Sequence, residues 1–237
     1  MLGAMTTVDE IKRAIQLLNF DGKHEVLSWL EGFIDSLYTA SNINEPQPIH
    51  AILNPPLMTF EEFLEFSEQS ALRYEFVNGV VHAMTGASIA HNWVAARLFS
   101  AADTHMKGGP CRAFPAGTNL RIQSDTDDIE YVPDLMVACN PEEWTDQWVR
   151  NPKLVAEVLS PSTQRIDRRE KALIYRQVKS IEEYLLLEQS EPKVTALRRA
   201  NEWRPQIYTG TEAVLELRSI GLSVPLEQIY ESALSAG

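Results

Sequence analysis

Two apolar runs, each interrupted by a single acidic residue, constrain this chain more than any other feature. Residues 131–138 read Tyr-Val-Pro-Asp-Leu-Met-Val-Ala and contain Asp134, and residues 154–159 read Leu-Val-Ala-Glu-Val-Leu and contain Glu157. Short apolar runs of this length predict buried strands. An ionised carboxylate in a buried strand is unfavourable unless it is paired or bound to a metal. The two runs therefore predict a sheet with an acidic centre.

Each acidic residue also has an ordinary explanation when it is considered alone. Asp134 fits a turn that follows Pro133, and Glu157 fits an outward-facing strand residue. Their coincidence favours a shared divalent cation, because two buried carboxylates on neighbouring strands repel each other. Hard cations such as Mg²⁺ prefer carboxylate, carbonyl and water oxygens.

The charge of the chain limits how it can meet a nucleic acid. The formal net charge is −12, and non-specific nucleic-acid binding depends on Lys and Arg. The distribution is uneven, since residues 1–70 hold eleven acids and three bases, whereas residues 163–204 hold ten bases and seven acids. A basic run directly after the acidic centre is compatible with phosphate contact, although a solvated helix face is its commoner meaning.

Composition and cysteine content suggest an ordinary cellular protein. No apolar stretch reaches the roughly 18 residues that a membrane-spanning helix needs. Asp9 and Glu10 stand where a secretory signal would carry basic residues, so we expect a cytoplasmic protein without membrane contact. For Cys111 and Cys139 we expect two buried free thiols, because a disulfide scaffold requires more cysteines in a smaller chain.

The pattern divides the chain into three parts. Residues 1–44 predict an N-terminal helical hairpin, in which Thr7 and Glu10 have the spacing of a capping box. Residues 45–57 predict a linker rich in Pro and Asn. We expect residues 58–237 to form the main domain. The hairpin is too small to form a core alone, so it must pack on the main domain or on a partner.

The sequence pattern of the main domain predicts a mixed α/β (α+β) fold. Thr59 and Glu62 form a second capping box, and Asn78-Gly79 predicts a tight hairpin turn. We expect further helices at 88–106 and 166–179, and a final helix that starts at Pro225. The candidates for the buried stripe of the first of these include Ile89, Trp93, Ala96 and Phe99. Further strands are expected near 111–122, 131–138, 153–159, 184–188 and 193–199.

Three polar residues have helical spacing after the second acidic run. Asp167, Lys171 and Tyr175 stand at positions i, i+4 and i+8, which places them on one side of a helix. They fit an ordinary salt bridge on a solvent-exposed face. They also fit a helix packed over the sheet that directs Lys171 at the two carboxylates.

Together these motifs resemble the Uma2 family of restriction endonucleases, in the PD-(D/E)xK nuclease superfamily. The resemblance covers roughly residues 58–205, and its motifs occur in the order of the family. It implies a restriction-endonuclease-like mixed β-sheet core flanked by helices. The matching motifs are Tyr74-Glu75, His91, Val132-Pro133-Asp134, Glu157 to Thr163, Asp167, Lys171 and Tyr175.

The resemblance also implies roles for individual residues. Asp134 and Glu157 become ligands of Mg²⁺ or Mn²⁺, with the backbone carbonyl of Val158 as a third ligand and Glu75 as a supporting one. The superfamily lysine normally follows the second acid by two residues, where this chain has Leu159. Lys171 is the expected replacement, and the catalytic set is therefore Glu75, Asp134, Glu157 and Lys171. The candidate substrate contacts are His91, Ser160, Thr163 and Tyr175.

These roles predict a magnesium-dependent endonuclease that hydrolyses phosphodiester bonds of DNA. The alternative is a catalytically weak or inactive nuclease-fold module that binds nucleic acid or protein, which Leu159 and the acidic net charge favour. In a further alternative the N-terminal hairpin acts as a docking element. A homodimer is plausible, since cutting both strands of a duplex is simplest with two copies.

Overall fold

The computed structural model describes residues 57–84, 86–125, 127–161 and 163–231. The predicted hairpin at 1–44 and all of the linker except Leu57 lie outside the described residues. The helices are α1 (Phe60–Glu68), α2 (Ile89–Met106), α3 (Gln164–Ile166), α4 (Ala172–Gln177) and α5 (Leu226–Tyr230), and a π-turn (Asp167–Lys171) joins α3 to α4. The strands are β1 (Tyr74–Val77), β2 (Val80–Ala83), β3 (Arg112–Pro115), β4 (Asn119–Gln123), β5 (Asp128–Tyr131), β6 (Leu135–Ala138), β7 (Trp148–Val149), β8 (Leu154–Leu159), β9 (Glu183–Glu188), β10 (Lys193–Arg198), β11 (Pro205–Thr209), β12 (Val214–Leu217) and β13 (Leu222–Pro225). Within the described ranges, no helix has both the length and the apolar character required to span a membrane.

Helix α1 begins as the sequence predicts. Thr59 Oγ1 accepts the N–H of Glu62 at 3.2 Å, and Glu62 Oε2 accepts the N–H of Thr59 at 2.8 Å. The reciprocal bonds confirm the capping box. Phe60 and Phe63 on the inner face of α1 pack against Phe76 of β1, so α1 covers one face of the sheet that contains β1.

The predicted hairpin is confirmed between β1 and β2. Asn78 has φ 50° and Gly79 has φ 92°, and positive φ at both central residues is the property of a two-residue type I′ turn. The turn fixes the register, in which Glu75 lies opposite His82. One candidate acid is therefore placed by a short-range turn signal.

The strands form two larger sheets and one separate hairpin. The five-stranded sheet has the order β2-β1-β5-β4-β7, the six-stranded sheet has the order β11-β10-β9-β8-β6-β3, and β12 pairs with β13. Pairs β4–β7 and β8–β9 are parallel, and the other pairs are antiparallel. This mixed-sheet architecture confirms the predicted fold class.

The six-stranded sheet has apolar side chains on both faces. Leu154, Ala156 and Val158 face α2 and α5. Val155 and Leu159 face the opposite way, toward α4 and the five-stranded sheet. Because side chains alternate along a strand, Glu157 falls on this second face. Leu159, at the position where the superfamily has lysine, is part of the apolar core.

The predicted buried stripe of α2 is wrong. Ile89 is 70% exposed and Trp93 is 42% exposed, Ala96 is also exposed, and Phe99 is only partly buried. The helix packs instead through small and medium side chains, which lie one position away from the predicted stripe. The buried residues are Val94, Ala95, Leu98 and Ala102.

The prediction of two free thiols is also wrong. Cys111 and Cys139 form a disulfide. Strand β3 runs antiparallel to β6 with Arg112 opposite Ala138, and the next pair in that register is the two cysteines. The pairing depends on strand register across 28 residues of sequence, which cysteine spacing alone does not reveal.

The C-terminal part contains more strand than the sequence predicts. Residues 205–225 form β11, β12 and β13. Pro225 is the residue before α5, with extended backbone, so the final helix begins at Leu226 rather than at the proline.

Candidate active site

Asp134 and Glu157 lie next to each other at one end of the β6–β8 ladder. In the β6–β8 ladder Leu135 lies opposite Ala156 and Met136 opposite Val155, and the next position in this register sets Asp134 opposite Glu157. Asp134 Oδ2 accepts the N–H of Val158 at 2.7 Å. The carboxylate of Asp134 thus extends the hydrogen bonding of the ladder by one position, just before β6 begins.

Lys171 joins the carboxylates from the helical segment above the sheet. Its ammonium donates to Glu75 Oε1 at 2.9 Å and to Glu157 Oε1 at 3.0 Å, and Asp167 Oδ1 lies 3.5 Å away. Glu75 Oε1 also accepts the N–H of Val132 at 3.1 Å. One ammonium therefore links acids from β1, β8 and the π-turn. We call Glu75, Asp134, Glu157, Asp167, Lys171 and His91 the acidic cluster.

The π-turn brings the polar side of this helical segment inward. Asp167 and Lys171 are both buried within it. The fully buried Tyr175 on α4 donates from its hydroxyl to Glu157 Oε1 at 3.1 Å. Tyr175 is thus both a core residue and a wall of the cluster. Single π-turns within helices are frequent at functional sites.

His91 reaches the cluster from the first turn of α2. Ser88 caps this helix, because its Oγ accepts the N–H of His91 at 3.1 Å. His91 Nε2 lies 3.2 Å from Asp134 Oδ2. Burial lowers the pKa of His91, but the hydrogen bond and negative charge of Asp134 raise it further, so the net shift is upward.

Ser160 and Thr163 make local bonds at the start of α3. Their hydroxyl oxygens lie 3.0 Å apart, and the N–H of Thr163 donates to Ser160 Oγ at 3.2 Å. The N–H of Gln164 donates to the carbonyl of Ser160 at 3.0 Å. These bonds organise the first turn of α3. Both residues therefore have a structural role here, which is the alternative to the predicted contact with phosphate.

Burial and mutual repulsion control the charges of the cluster. Burial raises the pKa of Glu157 well above its ordinary value; Lys171 opposes this rise, and the nearby carboxylates add to it. Burial also raises the pKa of Asp167. Burial lowers the pKa of Lys171, but Glu157, Glu75 and Asp167 raise it more strongly, so Lys171 remains an ammonium. The acids therefore outnumber the positive charges that balance them.

The carboxylates keep oxygen atoms that could bind a cation. Glu75 and Glu157 bond through Oε1, and Asp134 bonds through Oδ2. Within the described ranges the other oxygen of each accepts no hydrogen bond. The described ranges contain no cluster of three His, Cys, Asp or Glu side chains arranged to hold a metal. Mg²⁺ needs only one or two carboxylates and otherwise keeps water and phosphate oxygens.

Sequence reasoning missed the aromatic surroundings of the cluster. The ring centre of Tyr131 lies 5.1 Å from Lys171 Nζ, and the Tyr184 hydroxyl donates to the carbonyl of Asp167 at 3.0 Å. Tyr131 stands three residues before Asp134, so its proximity in sequence was a signal. Nothing local to Tyr184 indicates its contact.

Two proteins of Synechocystis are similar to this chain in sequence. The chain is 32% identical over 178 residues to "Uncharacterized protein slr1290" of Synechocystis, covering 74% of this chain and 92% of that protein. It is 31% identical over 136 residues to "Uncharacterized protein sll1609" of the same organism, covering 56% of this chain and 76% of that protein.

A solved structure shares the architecture. It is that of a "putative nuclease belonging to DUF820" from Anabaena variabilis, with a TM-score of 0.61 and 18% identity, covering 75% of this chain and 99% of that chain. A family model described as "Putative restriction endonuclease" matches residues 60–227, which include every member of the acidic cluster. This chain belongs to the Uma2 family.

Proposed function

We propose that this protein is a metal-dependent endonuclease that hydrolyses phosphodiester bonds of DNA with Mg²⁺ or Mn²⁺. The acidic cluster carries the proposal, since four carboxylates there are balanced by one ammonium and one imidazole. Such an excess of buried negative charge is unfavourable without a further cation. Membership of the Uma2 family supports the nuclease assignment.

The metal would be held by Asp134 and Glu157, with Glu75 in support. Each presents a carboxylate oxygen that no described donor contacts. Asp134 directly precedes β6, and Glu157 lies on the adjacent strand β8. When bound, a divalent ion supplies Lewis-acid stabilisation of charge on a phosphoryl oxygen. The carbonyl of Val158 is the remaining ligand that the family resemblance suggests.

Lys171 would stabilise the charge that develops on phosphorus during hydrolysis. Its ammonium is held in place by Glu75 and Glu157 before substrate arrives, and preorganised charge of this kind is a large contribution to catalysis. Lys171 thereby takes the part of the lysine that Leu159 replaces. Tyr175 fixes the orientation of Glu157 through its hydroxyl.

A plasmid-nicking assay tests this function. Parent protein should convert supercoiled plasmid to the nicked form in Mg²⁺ or Mn²⁺ and not in EDTA. Asp134→Asn and Glu157→Gln should abolish nicking, and Lys171→Met should slow it roughly 10²–10³-fold. Glu65→Gln, at an exposed position on α1, is the matched control and should nick like the parent.

The same assay distinguishes an active enzyme from the alternative, a nuclease-fold module that only binds. A parent protein that binds plasmid without nicking it in either metal would be a nuclease-fold binding module, and the enzymatic proposal would be wrong. Nicking that survives in Asp134→Asn would also contradict it, because the cluster would then not be the site of hydrolysis.

A further inference from the structure

The side chains of the acidic cluster differ in their exposure to solvent. The side chains of Asp134, Glu75 and His91 are 15%, 14% and 12% exposed, whereas those of Glu157, Lys171 and Asp167 are 6%, 6% and 2% exposed. A phosphodiester too large to enter the protein would therefore meet Glu75, Asp134 or His91 before the other members of the cluster.

His82 is the cross-strand neighbour of Glu75 on strand β2. It lies directly opposite Glu75 in the β1–β2 ladder, and the β1–β5 register, with Phe76 opposite Glu130, sets Tyr131 on the other side of Glu75. Opposed residues of antiparallel strands project from the same face with Cβ atoms about 5 Å apart. His82, Glu75 and Tyr131 thus form one row, whose inner end lies beneath Lys171.

The outer end of this row is exposed. Strand β2 is the edge of the five-stranded sheet, and His82 is exposed there. Its neighbour Ala83 projects from the opposite face, because side chains alternate along a strand. An exposed imidazole therefore lies beside Glu75, which is one of the more exposed members of the cluster.

We propose that His82 is a substrate-binding residue that donates a hydrogen bond to a backbone phosphate of the bound nucleic acid. The inference rests on the proposed function and adds a contact to the same site. Phosphate oxygens commonly accept hydrogen bonds from polar side chains, and these contacts position the backbone rather than read its sequence. The resemblance to the family did not mark this residue.

The test compares His82→Ala with two relocation variants. Ala83→His adds an imidazole to the opposite face, and the double variant His82→Ala/Ala83→His moves the imidazole there. Binding of a labelled DNA duplex is measured in Ca²⁺, nicking kinetics are measured in Mg²⁺, and the rise of Tm with Mg²⁺ is measured without DNA.

His82→Ala and the double variant should weaken duplex binding roughly five- to tenfold. Most of their loss in kcat/KM should lie in KM, and the Mg²⁺-induced rise in Tm should match that of the parent. Ala83→His should bind duplex like the parent.

Parent-like binding by His82→Ala in a protein that nicks DNA would overturn this inference alone. Parent-like binding by the double variant, or a loss confined to kcat, would overturn it as well. A parent protein that neither binds nor nicks DNA would overturn the proposed function and this inference together.

Discussion

At the scale of single residues, Lys171 is the positive charge that allows several carboxylates to be buried together. It contacts acids from three separate segments and is itself buried. Removing one partner of a buried ion pair leaves an uncompensated charge, which is far more unfavourable than losing an exposed pair. The stability of the metal-free protein should therefore depend on this side chain.

We expect Lys171→Met to lower the free energy of unfolding by about 3–5 kcal/mol, measured by urea denaturation in EDTA at pH 7. The matched control is Lys107→Met, since the side chain of Lys107 is 72% exposed. Glu157→Gln added to Lys171→Met should restore part of the loss, because it removes one unbalanced charge. Equal stability of Lys171→Met and Lys107→Met would contradict this account.

Glu130 is a buried carboxyl outside the acidic cluster. Asn119 Nδ2 donates to its Oε1 at 3.0 Å, and its buried Oε2 has no partner in the described part of the chain. Burial raises the pKa of Glu130 from 4.5 to about 7, although Arg121 and Arg73 oppose the rise. A folded-state pKa above the unfolded one favours folding at low pH, so this stabilisation is lost as pH rises from about 4.5 to about 7.

Glu130→Gln should remove that pH dependence. We expect the variant to exceed the parent in unfolding free energy at pH 8 by up to about 3 kcal/mol, and by much less at pH 5. Urea denaturation of both proteins at the two pH values measures the difference. A difference between parent and variant that is the same at pH 5 and pH 8 would show that Glu130 is not the titrating group.

At the scale of elements, the helix cap and the hairpin turn were predictable from the sequence, but the buried face of α2 was not. The capping box at Thr59 and the Asn78-Gly79 turn act over a few residues, so the sequence predicts them directly. The inner face of α2 is made of small residues such as Ala95 and Ala102. The contrast between its faces is therefore weak, and the large side chains of Ile89 and Trp93 indicated the wrong one.

The hairpin turn should show its energetic importance in one substitution. Gly79 has φ 92°, a conformation that a residue with a Cβ adopts only with strain. Gly79→Ala should lower the free energy of unfolding by about 1 kcal/mol or more, measured by urea denaturation. Gly86→Ala is the control, because a Cβ there would meet nothing within 4 Å. Equal effects of the two changes would show that the turn conformation is not under this constraint.

The candidate site was predictable in its residues but not in its contacts. Single acids in apolar runs indicated Asp134 and Glu157, and helical spacing indicated Lys171. Their proximity depends on the β6–β8 register and on the π-turn, which are set by tertiary packing. The disulfide and the position of His82 beside Glu75 depend on cross-strand register in the same way. Sequence spacing therefore did not reveal them.

At the scale of the whole molecule, the two sheets and the helical segment over them converge on the acidic cluster. Glu75 comes from the five-stranded sheet, Glu157 from the six-stranded sheet, and Lys171 from the segment between α3 and α4. The site therefore forms only when the domain is folded. The whole chain has a formal net charge of −12. A divalent cation would reduce the local excess of negative charge that opposes the approach of a nucleic acid.

The most direct test is Mn²⁺ binding, followed by electron paramagnetic resonance, in the parent, Asp134→Asn, Glu157→Gln and the Glu65→Gln control. We predict that the parent and the control bind Mn²⁺ and that both cluster variants bind it at least roughly tenfold more weakly, a loss of about 1.4 kcal/mol. Affinity of the parent should rise with pH, because protons compete with the ion for the Glu157 carboxylate, and burial raises the pKa of that carboxyl. Equal Mn²⁺ affinity in the parent and both cluster variants would contradict the claim that these two carboxylates share one divalent ion.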